Sequence, residues 1–281
     1  MQNLPQPLRL RRLDSARALP SLLIVWLCVL LAFPAQAQII RDDTAGQSNL
    51  GQIQPDSGVI TIDGDNGVRR GSNGEIVVHS FSDYNLGVGE TALYTETVNT
   101  DFLTSTNSVL TLVRGDASST LNGAIQSNYQ SADMYFVNPN GVFFGPGFTL
   151  DVPASFHVST ADNLTWDAGG PLINMSGPEN IPPMLVAATP FSWGFLGAGP
   201  EKQITVQNFD AIDNGVHSGD STFSFVGSNL VIGDVSDFGF LSTNGRDLLG
   251  IAQGQAGDVI GFADGTFQDF PKLSCSTASH P

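Results

Sequence analysis

Along most of the chain the apolar positions recur with period 2, the spacing of strands. Ile60 and Ile62 flank Thr61, Ile204 and Val206 flank Thr205, and Phe148, Leu150 and Val152 alternate with polar neighbours. Thr222–Phe225 and Leu230–Ile232 read as further short strands. Three runs are apolar without a break: Ile76–Val78, Met134–Val137 and Val142–Phe144. Such runs fit strands with little solvent on either face. No capped stretch shows the i, i+3, i+4, i+7 spacing of an amphipathic helix.

The punctuation between these strands is regular. Asn-Gly occurs six times, at Asn66, Asn73, Asn122, Asn140, Asn214 and Asn244. Asn and Gly reach positive φ at least cost, so each pair marks a sharp turn. Many short strands between such turns define an all-β chain, whether sandwich, barrel or solenoid. The continuous apolar runs and the uneven, short strands favour a solenoid, in which each coil pairs with the coil before and after it. Asp167–Ala188 interrupts the pattern with Pro171, Pro178, Pro182, Pro183 and three glycines, and reads as a long loop or excursion rather than a strand pair.

The first residues follow another logic. Arg9, Arg11, Arg12 and Arg17 precede an apolar run from Leu22 to Phe33, and Ala35-Gln36-Ala37 supplies a small-x-small cleavage pattern. This is the layout of a secretory leader, and the run is shorter than the ~20 residues of a membrane span. Residues 1–37 are therefore expected to be a signal peptide cleaved after Ala37. Cleavage leaves seven Lys and Arg against 26 Asp and Glu, a net charge of −19, which repels nucleic acid and anionic lipid. Neither nucleic-acid binding nor stable membrane insertion is expected. Cys275 is then the single cysteine, so no internal disulfide holds the fold. Phe270–Pro281 is rich in Ser and Pro, and residues 271–281 are expected to form a disordered tail that adds no coil.

One stretch stands out. In Met134–Val152, "MYFVNPNGVFFGPGFTLDV", the tetrapeptide Asn138-Pro139-Asn140-Gly141 separates two hydrophobic strands. Pro139 suits the first central position of a β-turn, Asn138 suits an Asx-turn, and Asn140 and Gly141 tolerate left-handed angles. The tetrapeptide closes a rigid polar corner, with Asn140 expected in a left-handed or turn conformation.

The longer stretch "FVNPNGVFFGPGFTLDVPASFHVSTADNL" closely resembles the signature of the N-terminal secretion domain of two-partner secretion exoproteins, the filamentous haemagglutinin family. The resemblance extends upstream through "RRGSNGEIVVHSFSDYNLGVGETALY" and "NSVLTLVRGDASSTLNGAIQS", and downstream through "PEKQITVQN", "FSFVGSNLVIGDV" and "FLSTNGRDLLGIAQGQAGDV". It implies a single-stranded right-handed parallel β-helix with N-terminal capping strands, here over residues 38–270. It implies export to the periplasm, recognition there by periplasmic domains of an outer-membrane β-barrel transporter, and release to the bacterial cell surface or medium. By the same match, Asn138, Pro139, Asn140 and Gly141 take the role of the secretion motif. The chain departs from the family pattern in lacking an Asn-Pro-Asn-Leu tetrapeptide around Glu96–Asn107.

Two other functions compete. The domain itself binds a host or neighbouring cell surface or a glycan, as an adhesin, or it is a β-helical polysaccharide lyase. A lyase needs clustered carboxylates with Arg or Lys. Here Arg41, Arg69, Arg70, Arg114, Lys202, Arg246 and Lys272 are scattered apart from one pair, and adjacent Asp42 and Asp43 would point to opposite faces of a strand. His79, His157, His217 and His280 lack zinc-site spacing. Asp63-Gly64-Asp65-Asn66-Gly67 fails the EF-hand register, since positions 5 and 12 are both glycine, and a turn is the better reading. No catalytic residue, metal or cofactor is expected.

Overall fold

The computed structural model describes residues 37–166, 172–176, 190–196, 202–207, 221–232, 247–252 and 257–260. The chain divides between Gln36 and Ala37, and every described residue lies in the unit that begins at Ala37.

The strands stack into three parallel walls. The first wall carries, in order, Ile76–Asn85, Ser108–Val113, Asp133–Val137, Phe156–Ser159, Thr222–Gly227 and Asp247–Ala252. The second carries Ser119–Leu121, Val142–Phe144, Gln203–Val206 and Asn229–Ile232, and the third Val59–Asp63, Thr91–Thr95, Ala124–Ser127 and Thr149–Asp151. The coils that begin at Ser108 and Asp133 visit the walls in that order, so a strand pairs with its counterpart one coil away, as Phe136 does with Thr111 on one side and Val158 on the other. This is a parallel β-helix, as expected. Among the described residues the helical segments are one 3-10 turn, Gly64–Asn66, and one α-turn, Phe102–Ser105.

The burial pattern explains the two kinds of strand in the sequence. The third wall shows inward Ile60, Ile62, Ile125 and Leu150 alternating with half-exposed neighbours, because only one of its faces is buried. First-wall strands from Ile76–Asn85 to Thr222–Gly227 are buried on both faces along most of their length. Met134 and Phe136 point into the coil interior, whereas Tyr135 and Val137 enter a second apolar layer outside it. That layer is roofed by an antiparallel sheet of Asn163–Trp166, Leu172–Asn174, Pro190–Phe195 and Gly257–Ile260. Trp166, Trp193 and Phe195 pack there against the outer face of the first wall, and Tyr135 lies between the two tryptophan rings at 6.3 and 6.1 Å.

This sheet corrects the reading of Asp167–Ala188 as a loop without strands. Leu172–Asn174 pairs with Asn163–Thr165. Ile173 and Met175, two residues apart, are buried against the first wall, and their burial outweighs the flanking proline and glycine. The excursion nevertheless leaves the main coil, as its composition indicated.

At the N-terminal edge of the first wall, Gln38–Arg41 and Val68–Arg70 both pair antiparallel with Ile76–Asn85. These are the capping strands that the resemblance implied. The interior is aromatic. Tyr84 meets Phe136 edge-on at 5.0 Å, Phe144 meets Phe148 and Phe225 at 4.7 and 5.7 Å, and Phe223 meets Phe225 at 4.6 Å. Burying each such ring is worth about 2–3 kcal/mol.

Candidate partner-binding site

The tetrapeptide forms the corner between the first and second walls in the coil that begins at Asp133. The Gly141 N–H donates to the Asn138 carbonyl at 3.1 Å, closing a β-turn with Pro139 and Asn140 at its centre. The Asn140 N–H donates to Asn138 Oδ1 at 2.9 Å, which is the Asx-turn expected from the sequence. The left-handed residue is not Asn140. Among the described residues Gly141 takes positive φ here, at 110°, whereas Asn140 does not. A type II turn needs positive φ at its second central residue, so the proline-led turn is of the type I kind, and the strain falls on the glycine after it.

Both asparagine side chains are used within the fold. Asn138 is fully buried, and its Nδ2 donates to the Ala117 carbonyl at 3.0 Å and to Ser119 Oγ at 2.9 Å. Its backbone N–H reaches the Ser159 carbonyl at 3.0 Å, so one residue ties three successive coils. Asn140 Nδ2 donates to the Gly115 carbonyl at 2.6 Å in the coil below. Pro139 is buried and Asn140 is half-buried. Gly115 has its own constraint, because a β-carbon there would overlap the Ser82 carbonyl oxygen. Gly115→Ala is therefore expected to lose about 1–3 kcal/mol and to shift the Asn140 amide resonance, as read by thermal melts and NMR.

Beside the corner lies a groove of about 490 Å³, lined by Asp116, Ser118, Asn140, Gly141, Phe143, Gln203 and Thr205, among others. Phe143 sits on the second wall between inward Val142 and Phe144, and its side chain points outward. In register across that wall, Thr120, Phe143, Thr205 and Val231 form a row, with Val231 39% exposed. The expectation that Val142–Phe144 has little solvent on either face thus fails at Phe143, because the roof that covers the first wall does not extend over this row. Alternation alone marks Phe143 as outward. Gln203 and Thr205 arrive beside it only through coil stacking, and no local signal places them there.

Asp63, Asp65 and Glu96 come within 4.8 Å of one another. Asp63 Oδ1 accepts the Asp65 N–H at 3.0 Å and its Oδ2 accepts from the Thr97 hydroxyl; Asp65 accepts the Val98 N–H at 2.8 Å and the Asn99 amide. Glu96 is buried against Arg69 and accepts the Tyr129 hydroxyl at 2.6 Å. Arg69 also lies over the Phe102 ring at 3.9 Å and donates to Thr106 Oγ1 at 2.7 Å. This network fastens the 3-10 turn to the segment after Thr91–Thr95. Asp42 caps its own turn through Thr44. Lys202 pairs with Asp162.

His79 is fully buried in the coil interior, and neither ring nitrogen has a hydrogen-bond partner. Burial foremost, then the nearby charges of Arg41 and Arg69, lowers its pKa to about 3, so the ring stays neutral. His157 shares a 2.7 Å hydrogen bond with Ser224 and stacks on Tyr135 at 4.7 Å. His217, His280, Arg246, Lys272, Cys275 and the expected leader and tail lie outside the described residues, apart from Ala37.

The described residues form a capped parallel β-helix whose Asn-Pro-Asn-Gly tetrapeptide closes one corner. The sequence matches the TPS secretion domain, TPS denoting two-partner secretion, over residues 37–263, most of its length. The chain belongs to this family of non-catalytic targeting domains. No curated protein matches it.

Proposed function

We propose that this chain is the secretion-recognition domain of a two-partner secretion exoprotein, and that the corner and its groove are where its transporter binds. Residues 1–37 direct it to the periplasm and are removed. Periplasmic domains of an outer-membrane β-barrel transporter then engage Asn140 directly. Asn138, Pro139 and Gly141, being buried, act by holding the turn. The protein leaves for the cell surface or medium without performing catalysis.

The observation that carries this reading is the position of Phe143. It is an outward aromatic on a solvent-facing wall, beside the motif and lining the same groove. Aromatic side chains in such settings are the usual energetic anchors of interfaces. Phe143→Ser is the test. It removes surface that is only half-buried, so the thermal midpoint is expected to move by no more than about 3 °C. Co-expressed with its barrel, the folded variant is expected to appear in the medium at about one tenth of the normal amount, the loss that follows from about 1.4 kcal/mol of binding. Normal secretion of folded Phe143→Ser would place recognition elsewhere on the β-helix.

A further inference from the structure

The small-x-small pattern allows one cleavage point, the Ala37–Gln38 bond, and that bond lies inside the folded domain. Ala37 is 2% exposed. Its N–H donates to Glu90 Oε1 at 2.9 Å, while the other oxygen of Glu90 accepts the Gly87 N–H at 2.7 Å. On the other side of the bond, Gln38 begins the capping strand and pairs with Asn85. Ile39, next in the strand, is fully buried and pairs with Tyr84, and its carbonyl accepts the Ile53 N–H at 2.9 Å. The bond is thus held on one flank by side chains of the domain and on the other by the strand ladder. A peptidase binds its substrate extended, with the small residue before the cut seated in its own pocket, so it needs these residues free of the sheet.

We propose that the folded domain shields its own processing site, so that leader removal happens only while Gln38–Arg41 is out of the first wall. The inference rests on the reading of residues 1–37 as a leader in the function proposed above. The step is simple hydrolysis. Water adds across the amide, Ala37 leaves with a carboxylate, and Gln38 gains a free amine. Cleavage of a protected bond proceeds through a transiently opened state, so its rate falls with the population of that state. A chain that folds early keeps its leader, and one that is processed first then docks Gln38–Arg41 and closes the edge.

The test uses the 281-residue chain, made without export and allowed to fold, and treated with purified leader peptidase in detergent micelles. The full-length Phe81→Asp variant, which places a charge in the coil interior, serves as the open reference. The reference is expected to be cut to a product beginning at Gln38, and the native precursor to be cut at least about tenfold more slowly, in line with an opened state populated to a tenth or less. Native cleavage within about threefold of the reference would overturn the shielding. A reference that is not cut after Ala37 would overturn the leader reading, and the shielding with it.

Discussion

Asn138→Ala is expected to cost about 2–4 kcal/mol, because it empties a fully buried site and removes one buried and two part-buried hydrogen bonds at once. The Ala117 carbonyl and Ser119 Oγ lose their donor, and the Asn140 N–H loses the acceptor that shapes the turn. For a domain of this size the thermal midpoint should fall by roughly 5–12 °C. Asn140→Ala removes one hydrogen bond to Gly115 and should cost only about 0.5–1.5 kcal/mol. Thermal melts of the two purified variants give the comparison. Similar small shifts for both would show that the Asn138 amide is not the tie between coils that its three contacts make it. The contrast also separates two meanings of the motif. Lost secretion in Asn138→Ala follows from a damaged corner, whereas lost secretion in a folded Asn140→Ala reports on the groove.

Mild acid is expected to destabilise the domain through His79. In the unfolded chain this ring titrates near its ordinary value of 6.5, whereas in the fold it stays neutral down to about 3. The unfolded state therefore binds the extra proton first. The fold loses nothing to this residue above pH 6.5 and is progressively destabilised from 6.5 down towards 3. At 1.36 kcal/mol per pH unit the loss reaches about 2 kcal/mol by pH 5. Asp65 and Glu75, both with lowered pKa values, add their own losses only in the carboxylate range below that. His79→Leu removes the proton acceptor and a ring without hydrogen bonds. Its stability should be nearly level between pH 7.5 and 5, where the parent falls. Parallel denaturation profiles for the two proteins over that range would show that His79 is not buried as a neutral ring.

Much of this architecture is legible in the sequence because burial writes itself into spacing. Ile60–Ile62 and Ile204–Val206 alternate because their walls have one wet face. Met134–Val137 does not alternate, because it separates two apolar layers. The Asx-turn at Asn138 follows from four adjacent residues and is found as expected. What was not legible depends on partners far along the chain. Leu172–Asn174 lies among prolines and glycines, and only the first wall beneath it makes Ile173 an inward residue. The groove joins Asp116, Phe143 and Thr205 from three coils, with the excursion between the last two. Asn140, expected in a left-handed or turn conformation, takes the turn, while the positive φ falls on Gly141, which tolerates it as well. The turn hydrogen bond and the tie to Gly115 decide it.

The antiparallel strands Gln38–Arg41 and Val68–Arg70 give the stack a direction of growth. They occupy the backbone donors and acceptors along one edge of Ile76–Asn85, so no other chain can align itself there. The first wall instead runs forward in parallel steps, through Thr222–Gly227 to Asp247–Ala252. Each finished coil presents an unfilled row of N–H and C=O groups to the coil that follows it in the chain. Assembly is therefore vectorial. Along the first wall a polypeptide delivered N-terminus first has a closed edge behind Ile76–Asn85 and an open one ahead, and each later strand of that wall finds its template in the strand before it.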